Sequence, residues 1–211
     1  MICSVAGIMI FSPLLLIIIV LIKMDGHGPV FFQQVRVGRN FKEFIIFKFR
    51  TMLPDSNKAG LKTIKNDQRI TRIGRLLRKY KLDEFPQLFN IIKGDMSFVG
   101  PRPEVPDFVD QNKDDYKALL KERPGITSPA SLFFRCEEQI GHCNDNPLEY
   151  YVNVLMPRKL YLDRLYLKEK SFFYDLYLIV LTISSLISNR VMSSFDKHCR
   201  NLLDAHFKQY C

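Results

Sequence analysis

The chain opens with an apolar run, Val5 to Ile22, interrupted by a single hydroxyl at Ser12. As a helix this run extends about 27 Å, close to the thickness of a bilayer core. A segment that enters lipid must satisfy its own backbone polar groups, which limits it to helix. Pro13 follows Ser12 near the middle of the run. It has no N–H and clashes with the preceding turn, so a kink or break is expected there. The Ser12 hydroxyl can satisfy part of the freed backbone. Two arrangements stay open on this pattern: a single-pass anchor, or a segment that enters the membrane and returns to the same face. Lys23 and the basic stretch beyond it place the C-terminal side in the cytoplasm. A cleaved signal peptide is not expected, because no small-residue cleavage site follows the run.

The remainder suits one domain of ordinary size within 211 residues. Hydrophobic content of 47% is enough for a core, and the net charge of +9 favours an anionic partner: nucleic acid, anionic lipid or a phosphorylated substrate. The cysteines (Cys3, Cys136, Cys143, Cys199, Cys211) are odd in number and scattered. They form no disulfide framework, which points to a reducing compartment. Cys136, His142, Cys143, His198 and Cys199 lack the paired spacing of a zinc site. No phosphate-binding P-loop, dinucleotide-binding glycine motif or nucleophile elbow occurs.

After the turn cluster Asp25-Gly26-His27-Gly28-Pro29, Val30–Val37 and Glu43–Arg50 read as strands of a hairpin. Alternation puts Lys48 and Arg50 on one strand face, where solvated charges are the ordinary outcome. Pro54 to Asp67 reads as a loop. Ile70 to Lys81 reads as a basic helix with Ile73, Leu76 and Leu77 on its apolar side, a pattern suited to anionic lipid. An apolar helix then carries Leu88, Phe89, Ile91 and Ile92 and ends at Gly94, with Asp83 and Glu84 at its N-terminus ahead of Pro86. Pro106 to Lys121 and Leu148 to Lys170 read as helices. Phe172 to Ile187 reads as a core or interfacial helix interrupted by Asp175, and the tail from Asn189 shows no clear pattern.

The stretch from Lys81 to Glu104 carries the chemistry. Adjacent carboxylates, Asp83 and Glu84, follow the cations Arg69, Arg72, Arg75, Arg78, Lys79 and Lys81, and Arg102 is held between two prolines. A carboxylate can attack phosphorus and form an acyl phosphate. The repulsion between carboxylate and diphosphate must first be neutralised, by a hard cation such as Mg²⁺ and by Lys48, Arg78 and Arg102.

Ser12-Pro13, Gly28-Pro29-Val30-Phe31-Phe32, Lys48-Phe49-Arg50-Thr51-Met52, Leu82 to Asn90, Gly94 to Pro103 and Arg123-Pro124-Gly125-Ile126-Thr127 occur in this order. Together they resemble the bacterial sugar transferases known as small monotopic phosphoglycosyl transferases, over residues 7–187. The resemblance implies an α+β, mostly helical fold. Residues 1–23 form a re-entrant membrane helix-break-helix that turns at Ser12 and Pro13. Residues 24–188 form a single cytosolic domain with a small β-hairpin and interfacial amphipathic helices, and residues 189–211 a C-terminal tail. It implies transfer of a sugar 1-phosphate from a UDP-sugar to polyprenyl (undecaprenyl) phosphate, with UMP leaving, at the cytosolic face of the bacterial inner membrane. The product would initiate an exopolysaccharide, capsule, O-antigen or glycoprotein glycan.

By the same resemblance Asp83 is the nucleophile and Glu84 its partner, both acting as ligands of Mg²⁺. Lys48, Arg78, Arg102 and Arg135 surround the phosphates or the nucleotide sugar. Membrane lipid, a second copy of the chain and downstream glycosyltransferases are the implied partners, and nucleic acid is not. Three features depart from the family pattern: the sequence starts inside the apolar helix where a basic, aspartate-containing lead-in is usual, Thr127 is followed by Ser128-Pro129 where glycine is common, and Leu132 to Pro147 is atypical. A second reading is a catalytically weakened homologue that binds nucleotide sugar or acts as a scaffold.

Overall fold

The computed structural model describes residues 2–54, 67–135, 147–187 and 192–207. Most of the expected Pro54–Asp67 loop and the cluster Cys136, His142 and Cys143 lie outside the described residues. Helix α1 (Ile2–Met24) runs without interruption through Pro13. The expected break at Ser12 and Pro13 is therefore absent from the assigned helix. Its chemistry is visible nonetheless: the Ser12 hydroxyl donates to Met9 O at 2.8 Å, the carbonyl that Pro13 cannot reach for lack of an N–H. The helix is long and apolar enough to cross a bilayer.

One side of α1 is covered by protein. Strands β1 (Phe31–Val37) and β2 (Glu43–Phe49) form an antiparallel hairpin with Phe31 opposite Phe49 and Val37 opposite Glu43. A tight turn joins them, with Asn40 and Phe41 at positive φ. Ile18 and Ile22 of α1 pack with Phe49 and with Leu77 of α2 (Arg72–Lys79). Arg50 is buried, not solvated: it donates to Ile22 O at 2.8 Å, Gly26 O at 2.7 Å and His27 O at 2.7 Å. The first satisfies a carbonyl that the C-terminus of α1 leaves open and the other two fix the turn that follows, with a cation where the helix dipole favours one. Helix α2 starts later than the sequence predicts. Thr71 caps it by accepting from Gly74 N, and the Asp25 carboxylate accepts from Ile73 N at 2.9 Å. Gly74 lies against Thr51, whose carbonyl oxygen would sit 2.0 Å from a Cβ, so no larger residue fits there.

Helix α3 (Gln87–Lys93) ends at Gly94 in the left-handed region, as expected. Asn90 anchors it to β2. The fully buried amide donates to Ile45 O at 2.7 Å and accepts from Phe47 N at 3.1 Å, completing the open edge of the strand. Two short strands missed by the sequence reading, β3 (Ser97–Val99) and β4 (Gly125–Thr127), pair in parallel. Gly100 and Gly125 permit this, since a Cβ on Gly125 would lie 2.2 Å from Gly100 N.

The expected helix over 106–121 is divided into α4 (Pro106–Gln111), α5 (Lys113–Tyr116) and a 3₁₀ turn at Leu119–Lys121. Helix α6 (Pro129–Phe133) follows β4. Helix α7 (Pro147–Tyr150) passes through a π-helical turn, Tyr151–Leu155, into α8 (Met156–Glu169). Helix α9 (Phe172–Ile187) buries Leu178 and Leu181 and exposes Phe172, Phe173, Val180 and Ile183 on its other side. The interrupting Asp175 accepts from the Tyr166 hydroxyl at 2.7 Å. The tail is ordered as α10 (Ser193–Phe207), which places Phe195, Cys199 and Leu203 in the main core. Its helical spacing is diluted by Asp196, Lys197, His198 and Arg200, which is why it escapes a reading by pattern.

Replacing the buried Asn90 with alanine removes the partner of one donor and one acceptor of β2. We expect Asn90→Ala to destabilise the protein by roughly 2–4 kcal/mol, read as a lower thermal or denaturant midpoint. An unchanged midpoint contradicts the anchoring role.

Candidate active site

Asp83 and Glu84 occupy a 3₁₀ turn, Leu82–Glu84, one turn ahead of α3 rather than within its first turn. Lys81 precedes it in the left-handed region (φ 53°, ψ 22°). This strained conformation for a residue with a side chain turns the chain sharply out of α2. Both carboxyl-bearing residues are buried as a result.

The two acids have different surroundings. Glu84 Oε1 accepts from Lys48 Nζ at 2.9 Å and from Arg102 Nη2 at 2.6 Å. Lys48 comes from β2 and Arg102 from the loop after β3, so three separated segments converge on one carboxylate. Burial alone pushes the Glu84 carboxyl up, but Arg102 and Lys48 outweigh it and hold the group well below the usual carboxylate range. Burial lowers the Lys48 ammonium against the pull of Glu84. Asp83 is the opposite case. Burial, followed by the neighbouring Glu84 charge, raises its carboxyl above the usual range. Its Oδ1 is buried with no hydrogen-bond partner, and so is Gln87 Nε2 in the first turn of α3. Buried polar atoms of this kind are uncommon and mark sites where another group is met.

The other expected residues divide. Arg78 donates to Thr51 Oγ1 at 3.0 Å, and its charge acts on Asp83. Arg135, at the end of α6, makes a paired contact with Asp196 of α10, both bonds at 2.9 Å. Its described partner is thus the C-terminal helix rather than the dyad. Among the described residues Cys3 and Cys199 are free thiols, and burial pushes Cys199 up to about 12.

Several residues that the sequence reading gave no role support the site. Arg36 donates to Pro103 O at 3.1 Å and pairs with Glu104, which also accepts from the Tyr151 hydroxyl at 2.5 Å. Asp163 is buried on α8. Burial pushes its carboxyl up to about 7, opposed by the Ser128 hydroxyl and the Ala130 and Arg102 backbone amides. Asp163 shares α8 with Arg158, Lys159, Arg164, Lys168 and Glu169, so no sequence signal set it apart, and Tyr151 had none either.

Two adjacent carboxylates, one with an unpartnered oxygen, fit a Mg²⁺ ion. Mg²⁺ commonly takes one or two protein carboxylates and completes its shell with waters and phosphate oxygens. Among the described residues no group of three or more His, Cys, Asp or Glu gathers into a metal site. A Mg²⁺ ion held by this pair would complete its shell with substrate and solvent oxygens.

The contrasting carboxyls give opposite stability effects. Asp83 costs stability once it ionises above its raised pKa. Asp83→Asn should therefore stabilise the protein at pH 7 by roughly 0.5–2 kcal/mol, and the gain should shrink as pH falls and the native carboxyl takes up a proton. Glu84→Gln strands Lys48 and Arg102. It should destabilise by about 2–3 kcal/mol, less than the roughly 3–5 kcal/mol of a fully buried pair because Arg102 keeps contact with water. Urea unfolding at several pH values checks both, and equal signs for the two variants contradict the assignment.

The family model for bacterial sugar transferases matches residues 1–189. A UDP-N-acetylgalactosamine-undecaprenyl-phosphate N-acetylgalactosaminephosphotransferase from Aeromonas hydrophila is 44% identical over 61% of this chain and 31% of its own length. An undecaprenyl-phosphate glucose phosphotransferase from Komagataeibacter xylinus is 36% identical over 89% of this chain and 35% of its own length. The exopolysaccharide production protein ExoY of Rhizobium meliloti is 34% identical over 87% of this chain and 81% of its own length. The chain thus spans about a third of the length of the first two relatives and most of the third. With the matched model covering the hairpin, the dyad and the strand and loop that supply its cations, the chain belongs to the bacterial sugar transferase family.

Proposed function

We propose that this protein transfers a sugar 1-phosphate from a UDP-sugar to a polyprenyl phosphate and releases UMP. The observation that carries the reading is the division of labour within the buried dyad. Glu84 is locked in its ionised form by two cations, while Asp83 keeps an oxygen without a partner and a raised affinity for protons. Environments that push two adjacent carboxyls apart assign them separate roles. A more basic carboxylate is also a stronger nucleophile once ionised.

In the first step an Asp83 oxygen attacks the phosphorus that bears the sugar. A bond forms between that oxygen and phosphorus, the bond from phosphorus to the bridging oxygen breaks, and UMP departs with the electron pair. In the second step an oxygen of the polyprenyl phosphate attacks the same phosphorus, and the Asp83 carboxylate is released. Lys48 and Arg102 hold Glu84 in place and bring positive charge to the phosphates, and Arg78 adds to that field. Bound Mg²⁺ would neutralise diphosphate charge beside Asp83 and Glu84. Relatives named as undecaprenyl-phosphate sugar phosphotransferases support the choice of acceptor and donor class.

The setting follows from the acceptor. A lipid phosphate stays in the membrane plane while a nucleotide sugar arrives from the cytosol. We place the protein at the cytosolic face of the bacterial inner membrane. The apolar helix α1 is embedded in the membrane, and α2 lies at the interface with Leu76 and Tyr80 exposed beside its cations. The lipid-linked sugar made there is the substrate for downstream glycosyltransferases.

Detergent-solubilised protein should release UMP when given undecaprenyl phosphate, Mg²⁺ and the correct member of a UDP-sugar panel. Asp83→Asn should lower that release by about a thousandfold or more. Full activity in the variant contradicts the role of Asp83. Silence of the native protein with every sugar contradicts the transferase reading.

A further inference from the structure

Arg102 reaches Glu84 from a short loop with a proline on each side, Pro101 and Pro103. Each ring fixes one backbone torsion, so the segment moves as a stiff lever rather than a flexible strand. Its near end is fastened to the parallel pair, with Gly100 N donating to Thr127 O and Gly125 N donating to Pro101 O, both at 3.0 Å. Its far end is fastened at Glu104. The Glu104 carbonyl accepts from Val37 N at 2.9 Å, and its side chain lies between two partners from distant segments. One is Arg36 of β1, 3.5 Å from Oε2, which also donates to Pro103 O and to Gln34 Oε1. The other is the Tyr151 hydroxyl, 2.5 Å from Oε1.

Tyr151 opens the π-helical turn before α8. Such turns interrupt the regular register of a helix and recur at functional sites. The Tyr151 ring is buried and packs on Phe108 at 5.5 Å between centroids. That packing survives the loss of its hydroxyl. Arg36 and Glu104 are themselves largely buried, so their contacts are not a loose surface pair.

We propose that Glu104, gripped by Arg36 and by the Tyr151 hydroxyl, is a positioning residue that sets Arg102 on Glu84. It touches no reacting atom itself. It fixes the far end of the loop whose arginine holds the dyad. A misplacement of that arginine by a fraction of an ångström loosens the Glu84 contact and exposes the dyad to a less defined charge field.

The test reads the contact directly, without relying on turnover. The Arg102 guanidinium is followed by ¹⁵N NMR at one pH in the solubilised full chain, against a Glu84→Gln reference in which its carboxylate partner is gone. Tyr151→Phe and Glu104→Gln should each move the Arg102 signal toward its Glu84→Gln position, because a displaced Arg102 loses the Glu84 contact. Neither should move it further in the Glu84→Gln background. An unchanged signal in both variants, or shifts that add fully to that of Glu84→Gln, overturns the positioning role. Glu104→Gln keeps the side chain's size and serves where Tyr151→Phe lowers the folded fraction.

The inference also rests on the proposed function, and a second arm separates the two. UMP release should fall roughly 10- to 100-fold in Tyr151→Phe, with no further fall in an Arg102→Ala background. Normal release in Tyr151→Phe beside an active native protein counts against the positioning role alone. An absence of release in the native protein counts against the transferase reading, while the Arg102 signal still decides the contact.

Discussion

Glu84 is a buried carboxylate that can exist as an anion only where cations come to it, and the architecture is arranged around that requirement. Taking a charge out of water costs several kcal/mol per ion, recovered only with good geometry and more than one partner. The chain brings one cation on a strand, Lys48, and another on a proline-bounded loop, Arg102. The strand is held in place by Asn90, the loop by the β3–β4 pair and by Glu104. The cluster is therefore a junction, and losing either cation disturbs two or more elements. Its counterpart is Asp83, whose oxygen without a partner is a liability for stability. On the proposed mechanism, the same local burial that costs stability at Asp83 is what makes that carboxylate the nucleophile.

The apolar N-terminal helix is joined to this junction rather than hung beside it. Phe11 meets the Phe85 ring edge-on at 5.2 Å, and Phe85 follows the dyad directly in sequence. Ile8 packs near Leu88 of α3, and Arg50 ties the end of α1 to the same strand that carries Lys48. A segment suited to lipid and a segment suited to phosphate chemistry thus share side chains. In physical terms this couples the depth of α1 in a bilayer to the height of the dyad above it.

Much of this was legible in the sequence, and what was not has physical causes. The hairpin, α3 with its closing glycine and the dyad followed from local patterns that also hold in three dimensions. Lys48 and Arg102 stood out in the sequence as cations, but their meeting on one carboxylate depends on long-range packing that no local pattern encodes. Alternation along β2 suggested a solvated face. It failed because Arg50 has helix carbonyls to satisfy and Lys48 has Glu84, so tertiary partners override the usual fate of a strand cation. The short strands β3 and β4 contain only three residues each and pair across a long separation, too little for a periodic signal. The helix α10 was hidden by charged residues on its exposed faces. Asp196 of that helix takes Arg135, an arginine whose expected role by resemblance lay with the nucleotide or sugar.

The most direct test of the central claim is the mass of the protein itself. Incubated with a UDP-sugar and Mg²⁺ but no lipid phosphate, the chain should gain the mass of one sugar phosphate. Fragmentation should place that mass on Asp83, and added polyprenyl phosphate should remove it. Turnover with no adduct on the protein under rapid quench, or an adduct on a residue other than Asp83, would contradict the account.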